Sequence, residues 1–162
     1  MAGLIRAGHF DQVYARILSH ALDKILPVGG VAQRRCAKGA NLTQTSIREA
    51  AEETGVELSS SGWSLGRLGR VAPSHPNLPP ITITPYVFGV PETIEANANS
   101  AEVDQVLWVT LPVLLDPKTR GTTNILLPEG SADFPCYWVD GHAIWGLTFR
   151  ILSEFGELAG GL

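Results

Sequence analysis

The sequence predicts an α/β or α+β sandwich, with helices packed against a mixed sheet. Three observations predict it. The order of patterns is helix, basic loop, glutamate-rich helix, several strands and a closing helix. These strands and helices mix without a regular β-α-β alternation, which argues for helices packed against a mixed sheet. The chain has 162 residues, 44% hydrophobic and 17% charged, enough apolar material for one domain with a sizeable core.

Composition also excludes some function classes. The net charge of −4 argues against a general nucleic-acid binder. No apolar run approaches the roughly 20 residues of a membrane helix, and the N-terminus has no clear signal-peptide pattern. Cys36 and Cys136 lie far apart and match no zinc spacing. A reduced intracellular setting, cytoplasmic or organellar, is the simpler expectation for a soluble chain of this kind.

In order along the chain, residues 9–26 place Phe10, Val13, Tyr14, Ile17, Leu18, Ala21, Leu22 and Ile25 at helical spacing. This predicts an amphipathic helix, ended by Pro27, Gly29 and Gly30. Residues 27–41 read as a loop. It is wholly basic, with no acidic residue between Asp23 and Glu49 and with Arg34, Arg35 and Lys38 in it. Such a loop either receives phosphates or is merely solvated.

Asn41 or Thr43 can cap the next helix, which runs to Thr54. Strand patterns follow at Leu65–Val71 and Ile81–Val90, separated by a proline-rich turn at 73–80. Pro85 marks the second as an edge strand or a bulged one. A polar loop at 91–101 leads to a strand at Val103–Val109 and a short helix at Leu111–Leu115. After a loop at 117–124, Asn124–Leu127 and Phe134–Val139 read as a hairpin. The last helix is expected from about Gly141-His142 to Leu158.

The chemistry concentrates in Arg48-Glu49-Ala50-Ala51-Glu52-Glu53-Thr54-Gly55-Val56. Glu49, Glu52 and Glu53 are spaced i, i+3, i+4, so a helix groups their carboxylates on one side. Three like charges in one patch repel, and a hard divalent cation would neutralise them. An acidic run on a helix is also an ordinary solvated face. Gly55 supplies a left-handed helix stop.

These nine residues resemble the second half of the signature of the Nudix hydrolases, Arg-Glu-apolar-x-Glu-Glu-x-Gly-apolar. Further stretches resemble the coenzyme A pyrophosphatase branch of that superfamily. They are Leu65-Gly66-Arg67-Leu68, Ile83-Thr84-Pro85, Glu102 to Val109, and Gly141-His142-Ala143-Ile144-Trp145-Gly146-Leu147-Thr148. The resemblance covers about residues 42–158. It implies a Nudix-like α/β/α sandwich over 42–159, preceded by a divergent helix and basic loop over 1–41 within a single compact unit. It implies Mg²⁺ or Mn²⁺ held by Glu49, Glu52 and Glu53, with Arg48 orienting Glu49 and Gly55 closing the helix. It implies a small nucleotide substrate, with no nucleic-acid or membrane partner; a homodimer is a further expectation.

The implied reaction is cleavage of the pyrophosphate bond of coenzyme A or an acyl derivative, giving 3′,5′-ADP and 4′-phosphopantetheine or its acyl form. Glu52, Glu53 and Glu102 are the candidates for positioning or deprotonating the attacking water. The residues that would bind the rest of the substrate are not indicated. The departures from the pattern all precede residue 42. Ala40 stands where the signature has its first Glu, and Arg34 where it has its Gly. Leu26-Pro27-Val28-Gly29-Gly30 only approximates the branch's Phe-Pro-Gly-Gly. Two alternatives therefore stand beside coenzyme A hydrolysis. One is hydrolysis of another nucleoside diphosphate derivative; the other is a Nudix-like domain that binds a nucleotide or partner with weakened turnover.

Overall fold

The computed structural model describes the backbone of residues 14–19 and 22–32, and residues 41–72, 82–91, 93–99, 106–127 and 130–160. The proline-rich turn at 73–80 lies outside the described residues, as do Arg34, Arg35, Cys36, Lys38, Ala40 and Glu102.

The first elements are strands. β1 (Tyr14–Ser19) and β2 (Leu22–Ala32) are antiparallel, with Ile17 opposite Ile25. The amphipathic helix expected at 9–26 is thus corrected, and so is the loop expected to begin at residue 27. The apolar positions of this segment fit helical spacing, but sheet partners override that local preference. β1 runs parallel to β5 (Val106–Thr110), with Tyr14 opposite Val106 and Leu18 opposite Thr110. β2 pairs antiparallel with β4 (Ile83–Gly89). β3 (Trp63–Arg67) adds on the far side of β4, giving a mixed sheet of order β3-β4-β2-β1-β5.

Pro85 therefore lies in an interior strand, and the edge-strand option is corrected. The bulge option holds. Val28 pairs with Tyr86 and Val31 with Thr84, so Gly29 and Gly30 together face Pro85. A proline has no N–H for the ladder, and a shift of register is where a sheet tolerates that loss.

Helix α1 (Leu42–Thr54) and the single turn α2 (Leu58–Ser61) follow β2. After β5 come α3 (Leu111–Leu115) and a 3₁₀ turn at Pro117–Thr119. The predicted hairpin is present and longer than expected. β6 (Arg120–Leu127) starts inside the expected loop at 117–124, and β7 (Gly130–Val139) returns. β8 (His142–Trp145) completes a second, three-stranded antiparallel sheet. Asp140 and Gly141 both have positive φ, 49° and 81°, the backbone of a tight primed hairpin turn. That Asp-Gly turn is why the last helix does not start at Gly141. α4 spans Gly146–Gly160 instead.

Alternation along the strands places two cores on opposite faces of the large sheet. Phe88 and Val90 pack with Ala50 and Val56 beneath α1. Val87, Leu107 and Val109 pack with Ile151, Leu152 and Phe155 of α4. Tyr137, Val139 and Ile144 carry the small sheet into this second core. The architecture is α+β, with the mixed sheet held between α1 and α4.

Candidate active site

The site is built on α1, and local sequence sets both of its ends. Asn41 caps the N-terminus, its Oδ1 accepting from the backbone N–H of Thr43 at 3.1 Å and of Gln44 at 3.4 Å. Gly55 ends the helix in the left-handed conformation at φ 70°, and its N–H donates to the Ala51 carbonyl. Between the caps, Ser46, Ala50, Glu53 and Thr54 form the buried stripe. The small residues in it let α1 sit close to the sheet.

The three glutamates divide along the helix. Glu53 lies on the buried stripe, only 8% exposed. Glu49, one turn earlier, is partly shielded, with its side chain 26% exposed. Glu52 turns to solvent, its side chain 57% exposed, and Arg48 Nη1 stands 2.7 Å from both of its carboxylate oxygens. Arg48 Nη2 is also 3.7 Å from Glu49 Oε1. The Glu52 carboxylate, through its hydrogen bond and its charge, raises the Arg48 guanidinium above the ordinary arginine range; Glu49 adds a weaker effect. Arg48 thus bridges the outward carboxylate and the half-shielded one, but it is bound first to Glu52 rather than to Glu49.

Carboxylate oxygens are the donor type that Mg²⁺ and Mn²⁺ take. Glu49 and Glu53 lie one turn apart and withdrawn from bulk water, so the donor set fits such an ion in kind. The set is not assembled around one point, however. Among the described residues no three His, Cys, Asp or Glu side chains come together as a metal-holding group. Glu52 would have to leave Arg48 to join.

The C-terminal end of α1 has a partner that sequence reasoning missed. The Asn97 N–H donates to the Thr54 carbonyl at 3.0 Å, and the Asn99 N–H to the Glu53 carbonyl at 2.9 Å. Asn99 Nδ2 lies 3.4 Å from the Glu52 carbonyl. The loop carrying both asparagines is seated by Ile94 and Ala96 against the core beneath α1. A polar loop was the only local signal for this contact. Glu102, the candidate on the strand after this loop, is outside the described residues.

No protein-family model matches the chain. Over 143 residues, the chain is 28% identical to an uncharacterized Nudix hydrolase, NudL, of Photorhabdus laumondii subsp. laumondii. The match covers 88% of this chain and 72% of the relative. This likeness supports the Nudix superfamily. The matched span is longer than the stretch from Leu42 to Leu162, so it extends into the N-terminal part of the chain. There β1 and β2 supply interior strands of the sheet on which the Nudix-like helix rests. Among the described residues no helix is long and apolar enough to cross a membrane.

Proposed function

We propose that this chain is a metal-dependent Nudix pyrophosphohydrolase acting on a small nucleotide, with coenzyme A or an acyl-coenzyme A as the substrate to test first. The observation that carries the reading is the arrangement of α1. A buried Glu53 and a half-shielded Glu49 lie one turn apart on a capped helix, with Arg48 holding a third carboxylate beside them. The likeness to a Nudix hydrolase supports the hydrolytic chemistry. The stretches after residue 56 that resemble coenzyme A pyrophosphatases support the substrate.

Glu49 and Glu53 would hold Mg²⁺ or Mn²⁺, with Glu52 joining once a phosphate group competes for Arg48. When bound, the ion supplies charge neutralisation at the pyrophosphate oxygens and an acidified water. The protein's own part is to keep the carboxylates in place. Burial of Glu53 limits the orientations its carboxylate can take. Arg48 can turn from Glu52 to an incoming phosphate oxygen, for which a guanidinium is well suited. Glu52 is then free to orient the attacking water, and Glu53 and Glu102 are the other candidates for that role.

The products expected from coenzyme A are 3′,5′-ADP and 4′-phosphopantetheine. The test is their chromatographic detection with Mg²⁺ or Mn²⁺ and its abolition by a chelator. Turnover of another nucleoside diphosphate derivative, with coenzyme A left intact, would move the substrate and keep the chemistry.

A second reading is a Nudix-like domain that binds a nucleotide with little turnover. One observation favours it: the three carboxylates are not gathered as a metal-holding group among the described residues. Binding of coenzyme A without product, in either metal, would select this reading.

A further inference from the structure

We infer that Asn99 is a positioning residue for the glutamate site, a role that rests on the metal-dependent reading of α1. An α-helix leaves its last carbonyls without partners inside the helix. In α1 the Ala51 carbonyl is taken by the Gly55 N–H. The next three carbonyls belong to Glu52, Glu53 and Thr54, and one loop takes all three. Asn97 serves Thr54 at 3.0 Å through its backbone N–H, and Asn99 serves Glu53 at 2.9 Å through its own. The Asn99 side-chain amide reaches Glu52 at 3.4 Å. The two residues Asn99 grips are adjacent in the chain, and both carry carboxylates of the site.

The placement matters for two physical reasons. The C-terminal end of a helix carries partial negative charge on its free carbonyls. Two carboxylate side chains sit on that same last turn, and N–H donors offset the negative end. The second reason is geometric. A glutamate directs its carboxylate only as well as its backbone is held, and Asn99 fixes two consecutive peptide units of the turn. Ile94 and Ala96, packed into the core beneath α1, hold the loop from its apolar side. The polar side is then free to grip the helix end.

The two asparagines provide an internal control. Asn97 contributes a backbone N–H, which a side-chain substitution leaves in place. Asn99 contributes a side-chain donor that alanine removes, while its own backbone bond to Glu53 remains. The experiment compares the intact protein with Asn99→Ala and Asn97→Ala, reading Mn²⁺ affinity by titration calorimetry and folding by thermal melting. Loss of an orienting contact behind a metal ligand weakens binding by about tenfold. Asn99→Ala is expected to show that loss with its melting temperature nearly unchanged, and Asn97→Ala to bind Mn²⁺ as the intact protein does. Equal Mn²⁺ affinity in the intact protein and Asn99→Ala overturns the positioning role alone. So does an equal loss in both variants. An intact protein that binds no Mn²⁺ overturns this role together with the metal reading beneath it.

Discussion

Arg48 and Glu52, four residues apart on α1, are joined by a forked contact, with Arg48 Nη1 2.7 Å from both carboxylate oxygens. Both side chains are more than half exposed, at 58% and 57%. An exposed i, i+4 pair stabilises a helix by only about 0.3–0.5 kcal/mol. Arg48→Ala should therefore lower the melting temperature by about 2 °C or less. Its effect on kcat/KM should be larger, a loss of about tenfold, because an incoming phosphate loses the guanidinium that receives it. Thermal melting beside steady-state kinetics checks the split; a large melting shift with unchanged kinetics would make the pair structural.

Gly55 is an independent point of support. Its φ is 70°, and a Cβ placed there meets no atom within 4 Å. The cost of Gly55→Ala is therefore the left-handed backbone and not a clash, about 1 kcal/mol. Urea denaturation should show that loss with an unchanged slope.

Thr84 makes a prediction of the opposite sign. It is 2% exposed in β4, and among the described residues its Oγ1 has no hydrogen-bond partner. A buried hydroxyl without a partner costs about 1–3 kcal/mol. Thr84→Val keeps the β-branched shape and removes the polar atom, so it should stabilise the fold by about 1 kcal/mol. A destabilised variant in urea denaturation would show that the hydroxyl has a partner in solution.

How much of this was legible in the sequence differs by element. α1 was legible because its signals are local: the Asn41 cap, the Gly55 stop and the small buried stripe fall within fifteen residues. β1 and β2 were not, because their identity depends on partners far along the chain. Val106 to Thr110 pair with Tyr14 to Leu18, and the same apolar residues also fit a helical wheel. Pro85 showed a break in the ladder but not which break, since an edge and a bulge cost the same missing N–H. Helical spacing put the three glutamates on one side of α1, and the structure corrects this: Glu53 turns inward and Glu52 outward to Arg48, a division set by packing and by a side-chain partner rather than by spacing. The asparagine grip was invisible for a plainer reason. Its acceptors are backbone carbonyls, which every sequence has.

Cys136 offers a pH test. Its side chain is fully buried, and burial pushes the thiol pKa up from its ordinary value. The unfolded chain then loses its thiol proton at a lower pH than the folded one. Stability from this group is intact below the unfolded thiol range, about pH 8.5, and declines as pH rises beyond it. Cys136→Ala should flatten that alkaline decline relative to the intact protein, measured by denaturation at pH 7 and pH 10. The native thiol should also react slowly with a disulfide reagent at pH 7.

The most direct test of the account is hydrolysis of coenzyme A by the intact protein and by Glu53→Gln, each with Mg²⁺, with Mn²⁺ and with a chelator. Glu53 is the carboxylate that the fold buries on the inner stripe of α1. Metal-dependent release of 3′,5′-ADP and 4′-phosphopantetheine is expected, reduced by about a hundredfold or more in the variant. Turnover that persists in the chelator, or that Glu53→Gln leaves unchanged, would contradict it.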